Sequence, residues 1–408
     1  MTEERSVSTG LTSALLACSG GAILLVQTAQ TAGLAHEELV TWFGSVYVIG
    51  GLLNLILSLT YRIPFAGAHS ITAVAFIGTL SARFTWPELA GGFIMSGVLI
   101  LIAGSTGLFG AVLNRIPKPL IDALLAGLLL SYVIDIVPAA VQLPVIGLLA
   151  GAGYFLVPRV TKSLSPALWA LLLGLAGLAL LGGLHSGFPP MQDTSFAMPH
   201  WVHPVFTVSG MFAVALPLSL LIMSNDLAVA LVSLRRNGYG PSVGRTMTAS
   251  GFASVAAGLF GGHAANVGGM MSALCSSPEA GPSESRYRAA VVSNAVVILF
   301  GLAAWQVTDL IRMLPASFVA MMTGFSLLGL FQHAVRSALQ NRKLLLSVLL
   351  TFGAAALHLH AWGISTPIWA LLIGAAVLKL SAVHERRKRK LNPLIVPASD
   401  EPNQGGKY

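Results

Sequence analysis

The stretch LFGGHAANVGGMMSALCSSPEAGP, Leu259 to Pro282, decides the fold. It lies inside a very apolar chain, yet five glycines between Gly258 and Gly269 surround His263 and Asn266, and two prolines close it. Such a segment reads as a membrane helix that has been interrupted. In hydrocarbon every backbone N–H and C=O needs a partner, so unwound chain persists only where protein or a water-filled cavity surrounds it. The rival reading is ordinary helix packing on small residues, which also enriches glycine.

Composition supplies the setting. The 408 residues are 55% hydrophobic and only 9% charged, whereas a soluble domain is roughly a quarter charged. The chain lacks the polar surface to face water and reads as an all-α polytopic membrane protein. A net charge of +8 is explained by basic residues that orient loops at the cytoplasmic face, not by a nucleic-acid partner. The run HERRKRK, His384 to Lys390, follows the last apolar segment and suits an anionic leaflet. The opening residues MTEERSVSTG lack the basic-then-apolar order of a cleaved signal peptide. Cys18 and Cys275 make no disulfide framework, and no metal-ligand spacing occurs. Nor is there a Walker loop, a dinucleotide fingerprint or an HExxH motif. The expectation is therefore no enzyme and no cofactor, with any uphill transport drawing on an ion gradient.

Twelve apolar stretches between residues 11 and 383 are long enough to cross a bilayer. Two shorter segments, near 68–82 and 264–276, are too short or too polar to cross alone. About fourteen elements result, and an even number puts both termini on one side, the cytoplasmic one if the basic tail lies inside. Of 23 Lys and Arg, only Arg83 and Arg312 then fall near outward ends, and the long loop from His185 has no Lys or Arg. His358 and His360 fall near an outward end.

The chain also repeats. RIPKPLIDALLAG ends at Gly127 and RMLPASFVAMMTG ends at Gly324, 197 residues later. The same offset carries the short segment near 68–82 onto the interrupted stretch. About seven spans per half makes the halves inverted repeats: a tail over 1–9, a first repeat over 10–183, an extracytoplasmic loop over 184–206, a second repeat over 207–383 and a basic tail over 384–408. Interrupted segments at matching places in two halves mark a transporter's binding site. A half-helix starting at mid-membrane points free N–H groups and its positive dipole end into the cavity, which suits an anion.

Polar residues at membrane depth fill in the site. Asp226 is the deepest carboxylate, and an intramembrane acid is a functional hypothesis by default; burial would poise it to carry a proton, although structural pairing with a neighbouring helix is the competing role. His69 and His263 sit at the two breaks, where an imidazole binds a carboxylate, relays a proton or ties down a carbonyl. Asn225 and Asn266 are candidates for substrate hydrogen bonds or for holding unwound backbone. Gln27 and Gln30, three apart, share a face of the first helix. Asp122 and Asp135, near the two ends of one span, read as interfacial.

These residues resemble a known family. FGGHAANVGGMMSALCSSPEAGPSESRYRAA, Phe260 to Ala290, closely resembles the bacterial benzoate transporters, which are benzoate/proton symporters; the matching positions are Gly261, Gly262, Ala264, Asn266, Cys275, Pro278, Glu279 and Ala280. LSLTYRIPFAGAHS from Leu57 and LPLSLLIMSNDLAVALVSLRRNGYGP from Leu216 extend the likeness over roughly 10–380. The resemblance implies the uracil-permease-like fold: fourteen segments in two inverted repeats of seven, core and gate domains, and two half-helices preceded by short strands with substrate between them. It also implies a bacterial inner-membrane location and, since carriers of this fold often dimerise through the gate, a homodimer. The chain departs from the family where His69, Ser70, Ile71 and Thr72 replace a tryptophan followed by Ser-Thr-Pro, and where Asn225-Asp226 replaces Gln-Asn.

Together these features predict a secondary transporter that moves an organic anion, benzoate or a related aromatic carboxylate, with a proton. Asp226 is the expected proton carrier and His69 its helper. His69, Ser70, Asn225, Asn266, Gln27, Gln30 and the half-helix starts near Gly67 and Gly268 are the expected substrate contacts, with His263 as a further candidate. The alternatives are a nucleobase or heterocycle symporter, favoured by the acid at 226, and an uncoupled anion facilitator or channel.

Overall fold

Two helix starts in this chain show how the sequence supplies its own capping residues. Thr85 N–H is accepted by Glu88 Oε2 at 2.9 Å ahead of a helix with Pro87 in its first turn, and Ser165 Oγ accepts from Leu168 N–H at 3.3 Å just before Pro166. Both arrangements satisfy first-turn donors that the helix itself leaves open. A computed structural model describes residues 2–80, 83–107, 117–161, 164–181, 200–357 and 366–391. His185, His358 and His360 lie outside the described residues.

In the first half, α1 (Thr2–Cys18) and α2 (Gly20–Thr31) meet at Ser19 and are followed by α3 (His36–Tyr61). An extended stretch leads to α4 (Ile71–Gly78), only eight residues long, and then α5 (Trp86–Thr106). α6 (Lys118–Ile134), α7 (Ile136–Gln142), α8 (Pro144–Phe155), the single turn α9 (Val157–Val160) and α10 (Pro166–Leu180) complete it. The second half has α11 (Val208–Arg236), α12 (Val243–Gly258), the eight-residue α13 (Gly269–Ser276) and α14 (Tyr287–Leu302). α15 (Ala304–Arg312), α16 (Ala316–Leu339), α17 (Leu345–Ala356) and α18 (Thr366–Leu391) follow.

The 197-residue offset holds in the helices. α3 and α12 end at Tyr61 and Gly258, and α4 and α13 begin within one residue of the same shift. Among the described residues six helices are long and apolar enough to span a bilayer, or seven if α14 and α15, bent by 72°, count as one. The other helices are shorter than a full crossing, except α18, whose 26 residues end in a charged run.

The halves interlock. α3 packs on α14 and α5 on α12, with α4 and α13 held against α2 and α11; this is the core group. α6, α16, α17 and α18 pack on one another, α8 and α10 pair beside them, and α2 meets α16; this is the gate group. Close approach needs small residues: a Cβ on Gly251 would lie 2.4 Å from Leu101 N in the α5–α12 contact.

Two expectations are corrected. Residues 1–9 are not a tail, since α1 begins at Thr2. Ser6 Oγ donates to Ala280 O at 2.9 Å, and Gly10 lies so close to Ala289 and Val292 that α1 is anchored from its first turns. The strands expected before the half-helices are extended chain, and among the described residues no strand forms. The two stretches cross with two backbone bonds, Asn266 N–H to Ala68 O at 3.1 Å and Gly268 N–H to Ala66 O at 2.9 Å. Side chains take several of the remaining backbone groups. Ser272 Oγ accepts from Ala66 N–H and donates to Ala66 O, and Ser254 Oγ does the same for Ala265. Asn54 Nδ2 donates to Asn266 O at 3.0 Å, while Asn294 Nδ2 and Ser58 Oγ both donate to Phe65 O. Neighbouring side chains thus pair much of the unwound chain at this depth, in the way an apolar surround demands.

Candidate functional site

The crossing brings the two half-helix starts to one cavity of about 350 Å³ between the core and gate groups. Ala68, His69, Ile71, Thr72, Asn225, Asp226 and the first residues of α13 line its core side; Lys118, Asp122, Ser326 and His333 line its gate side. Gly67 lies at the crossing point, where a Cβ would stand 2.3 Å from Gly268 N. Only glycine permits that approach.

Ser70 is the hub of the first break. Its Oγ accepts from Ala73 N–H at 3.2 Å, capping α4, and donates to Asp226 Oδ2 at 2.5 Å. With its one proton directed at Asp226, the contact to Thr72 Oγ1 at 2.9 Å has Thr72 donating. Asp226 and Asn225 lie in a π-helical stretch of α11, Ile222–Leu227. A second π stretch, Met211–Ala215, precedes Pro217, which lacks the N–H an α-helix would use. π segments inside α-helices frequently mark functional sites; here one coincides with the two polar residues at the cavity. Asn225 Nδ2 is buried without a partner.

The second break ends differently. Gly268 has no side chain with which to cap α13, so the first-turn N–H groups of Gly269, Met270 and Met271 carry no side-chain cap where these residues line the cavity. The far end of α13 is closed by Arg286, whose Nη1 donates to Ser276 O at 2.8 Å and whose Nε donates to Gly281 O at 2.7 Å. A cation there complements the negative end of the helix dipole.

The two histidines part company. His263 is fully buried and satisfied at both nitrogens: Trp42 Nε1–H donates to Nδ1 at 3.0 Å, so the ring is neutral and Nε2–H donates to Ser70 O at 3.2 Å. It is a backbone tie and does not line the cavity. His69 does line it, held edge-on between Tyr47 and His263 with ring centroids 4.9 and 5.2 Å away, its Nδ1 without a partner.

Of the other expected contacts, Asn266 is fully buried behind the crossing with its side-chain amide unpartnered. Gln27 is half-buried and Gln30 exposed; neither they nor Asn266 and Gly67 line the cavity. Asp122 is no interfacial acid: it is 2% exposed, bound by Lys118 and Ser337, and faces the cavity, whereas Asp135 is exposed. The Lys-to-Asp spacing of four residues at the start of a membrane helix was the signal available for that pair.

The comparisons with known proteins bear on family and fold. A family model described as benzoate membrane transport protein matches residues 1–380. The inner membrane protein YdcO of Escherichia coli is 28% identical over 383 residues, covering 92% of this chain and 96% of its own. The benzoate membrane transport protein of Acinetobacter baylyi is 26% identical over 369 residues, covering 90% and 92%. Among solved structures, the transmembrane domain of the cyanobacterial bicarbonate transporter BicA superposes with a TM-score of 0.61 at 16% identity, over 92% of this chain and 98% of that one. SLC26A9 gives 0.60 at 12% identity, over 94% of this chain and 65% of that one. Those two likenesses establish the fold. A match over residues 1–380, joined to a largely apolar cavity that receives the two half-helix starts and a few polar groups, leads to one statement: the chain belongs to the benzoate membrane transport family, as a multi-pass membrane transporter and not an enzyme.

Proposed function

We propose that the protein takes up an organic anion, benzoate or a related aromatic carboxylate, together with a proton. One observation carries this reading: a single cavity receives both the uncapped N-terminus of α13 and the Asp226–Ser70 hydrogen bond. The free N–H groups suit a carboxylate. Among the described residues Asp226 is the only carboxylate on the core side of the lining, and it is the group to carry the proton. His69 would meet the aromatic part of the substrate, and Asn225 Nδ2 would donate to it. Protonating Asp226 removes a negative charge beside the anion, so proton and anion favour one another's binding. The cycle would be an elevator-like or rocking movement of the core group against the gate group, in an inner membrane with both termini cytoplasmic.

The test is accumulation of radiolabelled benzoate in proteoliposomes under an imposed inward proton gradient, with unlabelled carboxylates and nucleobases as competitors. Accumulation that collapses when the gradient is dissipated supports the reading, and equilibration without accumulation replaces it with an uncoupled facilitator. The adjacent Asn225 amide and Asp226 carboxylate could also recognise ring N–H groups; uptake of a nucleobase without uptake of benzoate would favour that heterocycle carrier instead.

A further inference from the structure

The gate side of the cavity holds a charge arrangement with no part in the binding scheme above. Lys118 Nζ donates to Asp122 Oδ1 at 2.7 Å and Oδ2 at 2.6 Å, and Ser337 Oγ donates to Asp122 Oδ2 at 2.5 Å. Ser337 belongs to α16, so the cluster also ties two gate helices together. Its members are unequally placed: the Asp122 side chain is 2% exposed and that of Lys118 56%. The pair is neutral overall, but its positive end is the accessible one. Among the described residues lining the cavity, Lys118 is the sole Lys or Arg. An ammonium has three N–H donors, so at least one is free for another acceptor, and its four-carbon stem lets it turn without moving the backbone.

We propose that Lys118 is a second, transient station for the substrate carboxylate, reached between the half-helix site and the aqueous mouth on the gate side. The inference rests on the reading of the protein as a carrier of organic anions and names a specificity residue that reading does not contain. Asp122 and the substrate compete for the same ammonium. That competition keeps the station weak, so the anion is drawn from the half-helix site yet not retained. When Asp226 has given up its proton, its charge and that of Lys118 push and pull the anion in the same direction, toward the mouth.

The test compares KM for benzoate on the two faces of oriented proteoliposomes, by zero-trans uptake and zero-trans efflux. Lys118→Gln should raise KM on one face only, by about tenfold, the size of one charge-assisted hydrogen bond. Lys118→Arg should keep it near the wild-type value, and Asp122→Asn should lower it on that same face, because the ammonium is released. The double variant Lys118→Gln with Asp122→Asn should behave like Lys118→Gln alone. A double variant restored to wild-type KM would mean that Lys118 merely neutralises Asp122, and the inference falls. It falls equally if Lys118→Gln lowers the maximal rate with KM unchanged on both faces. Should Lys118→Gln fail to reach the membrane, Asp122→Asn decides, since an unchanged KM overturns the station. Wild-type protein that moves no carboxylate overturns the functional reading itself, whereas normal wild-type transport with an indifferent Lys118→Gln overturns the station alone.

Discussion

α4 and α13 are equal in length and occupy matching places in the two halves, yet their N-termini differ in chemistry. α4 is capped by its own Ser70, and that hydroxyl is committed to Asp226. α13 starts at Gly268 and has no side-chain cap. A serine cap satisfies a first-turn donor; a glycine leaves it for a ligand. The repeat therefore supplies one scaffold twice, and a side chain present at Ser70 and absent at Gly268 distinguishes the two starts; in the proposed function, the first half-helix would serve the proton and the second the anion.

The comparison can be broken most severely at the crossing both half-helices depend on. Gly67→Ala would push a Cβ to within 2.3 Å of Gly268 N, and backbone cannot step aside as a side chain can. Loss of transport is expected, with destabilisation at or above the upper end of the usual ~1–3 kcal/mol for overpacking, read as a lower melting temperature in detergent. Unaltered stability would show that the crossing is loose.

Asp226→Asn keeps shape and removes the titratable group. Gradient-driven accumulation should fall at least about 100-fold, within the range for a positioned proton-transfer group, while substrate counterflow without a gradient persists. Loss of both would make Asp226 a substrate ligand and not a proton carrier.

Gly268→Ser tests the asymmetry most directly, because it gives α13 the cap that α4 has. The backbone there, φ −81° and ψ 130°, accepts an L-residue, although the new Cβ would sit 3.2 Å from Gly67 Cα. The expected result is a KM about tenfold higher as the hydroxyl competes with the anion for N–H groups. An unchanged KM would place the anion elsewhere. Ser70→Ala should act least, costing the α4 cap about 1 kcal/mol and, because the lost hydrogen bond favours the charged carboxylate of Asp226, lowering KM for protons about fivefold, measured from the pH dependence of uptake. A larger effect on benzoate KM than on proton dependence would reverse the assignment of the two half-helices.

Much of this was legible in sequence because hydrophobic spacing and glycine carry it. The breaks at 68–82 and 264–276 and the 197-residue offset are composition written along the chain, and they survive as α4, α13 and the matched ends of α3 and α12. Side-chain direction was not legible. Nothing in the letters separates His69, which faces the cavity, from His263, which Trp42 and Ser70 hold behind it. Asn266 resembled a ligand and is buried behind the crossing, while Asn54 and Asn294 looked unremarkable inside their spans and hold the unwound backbone. The π turn that carries Asp226 has no sequence signal at 222–227 of the kind Pro217 gives the earlier one.

The crossed segments also have a consequence for biosynthesis. Ala66 is bonded by Ser272, Phe65 by Asn294, and Ser70 by His263 through its carbonyl and Asp226 through its hydroxyl. These partners are translated between 156 and 229 residues after the groups they satisfy. During synthesis the first half therefore enters the bilayer with an unwound, polar segment that its own helices only partly cover. The insertion machinery, water or a chaperoning surface must hold that segment until α14 has emerged, so the carrier's first half has no finished state of its own.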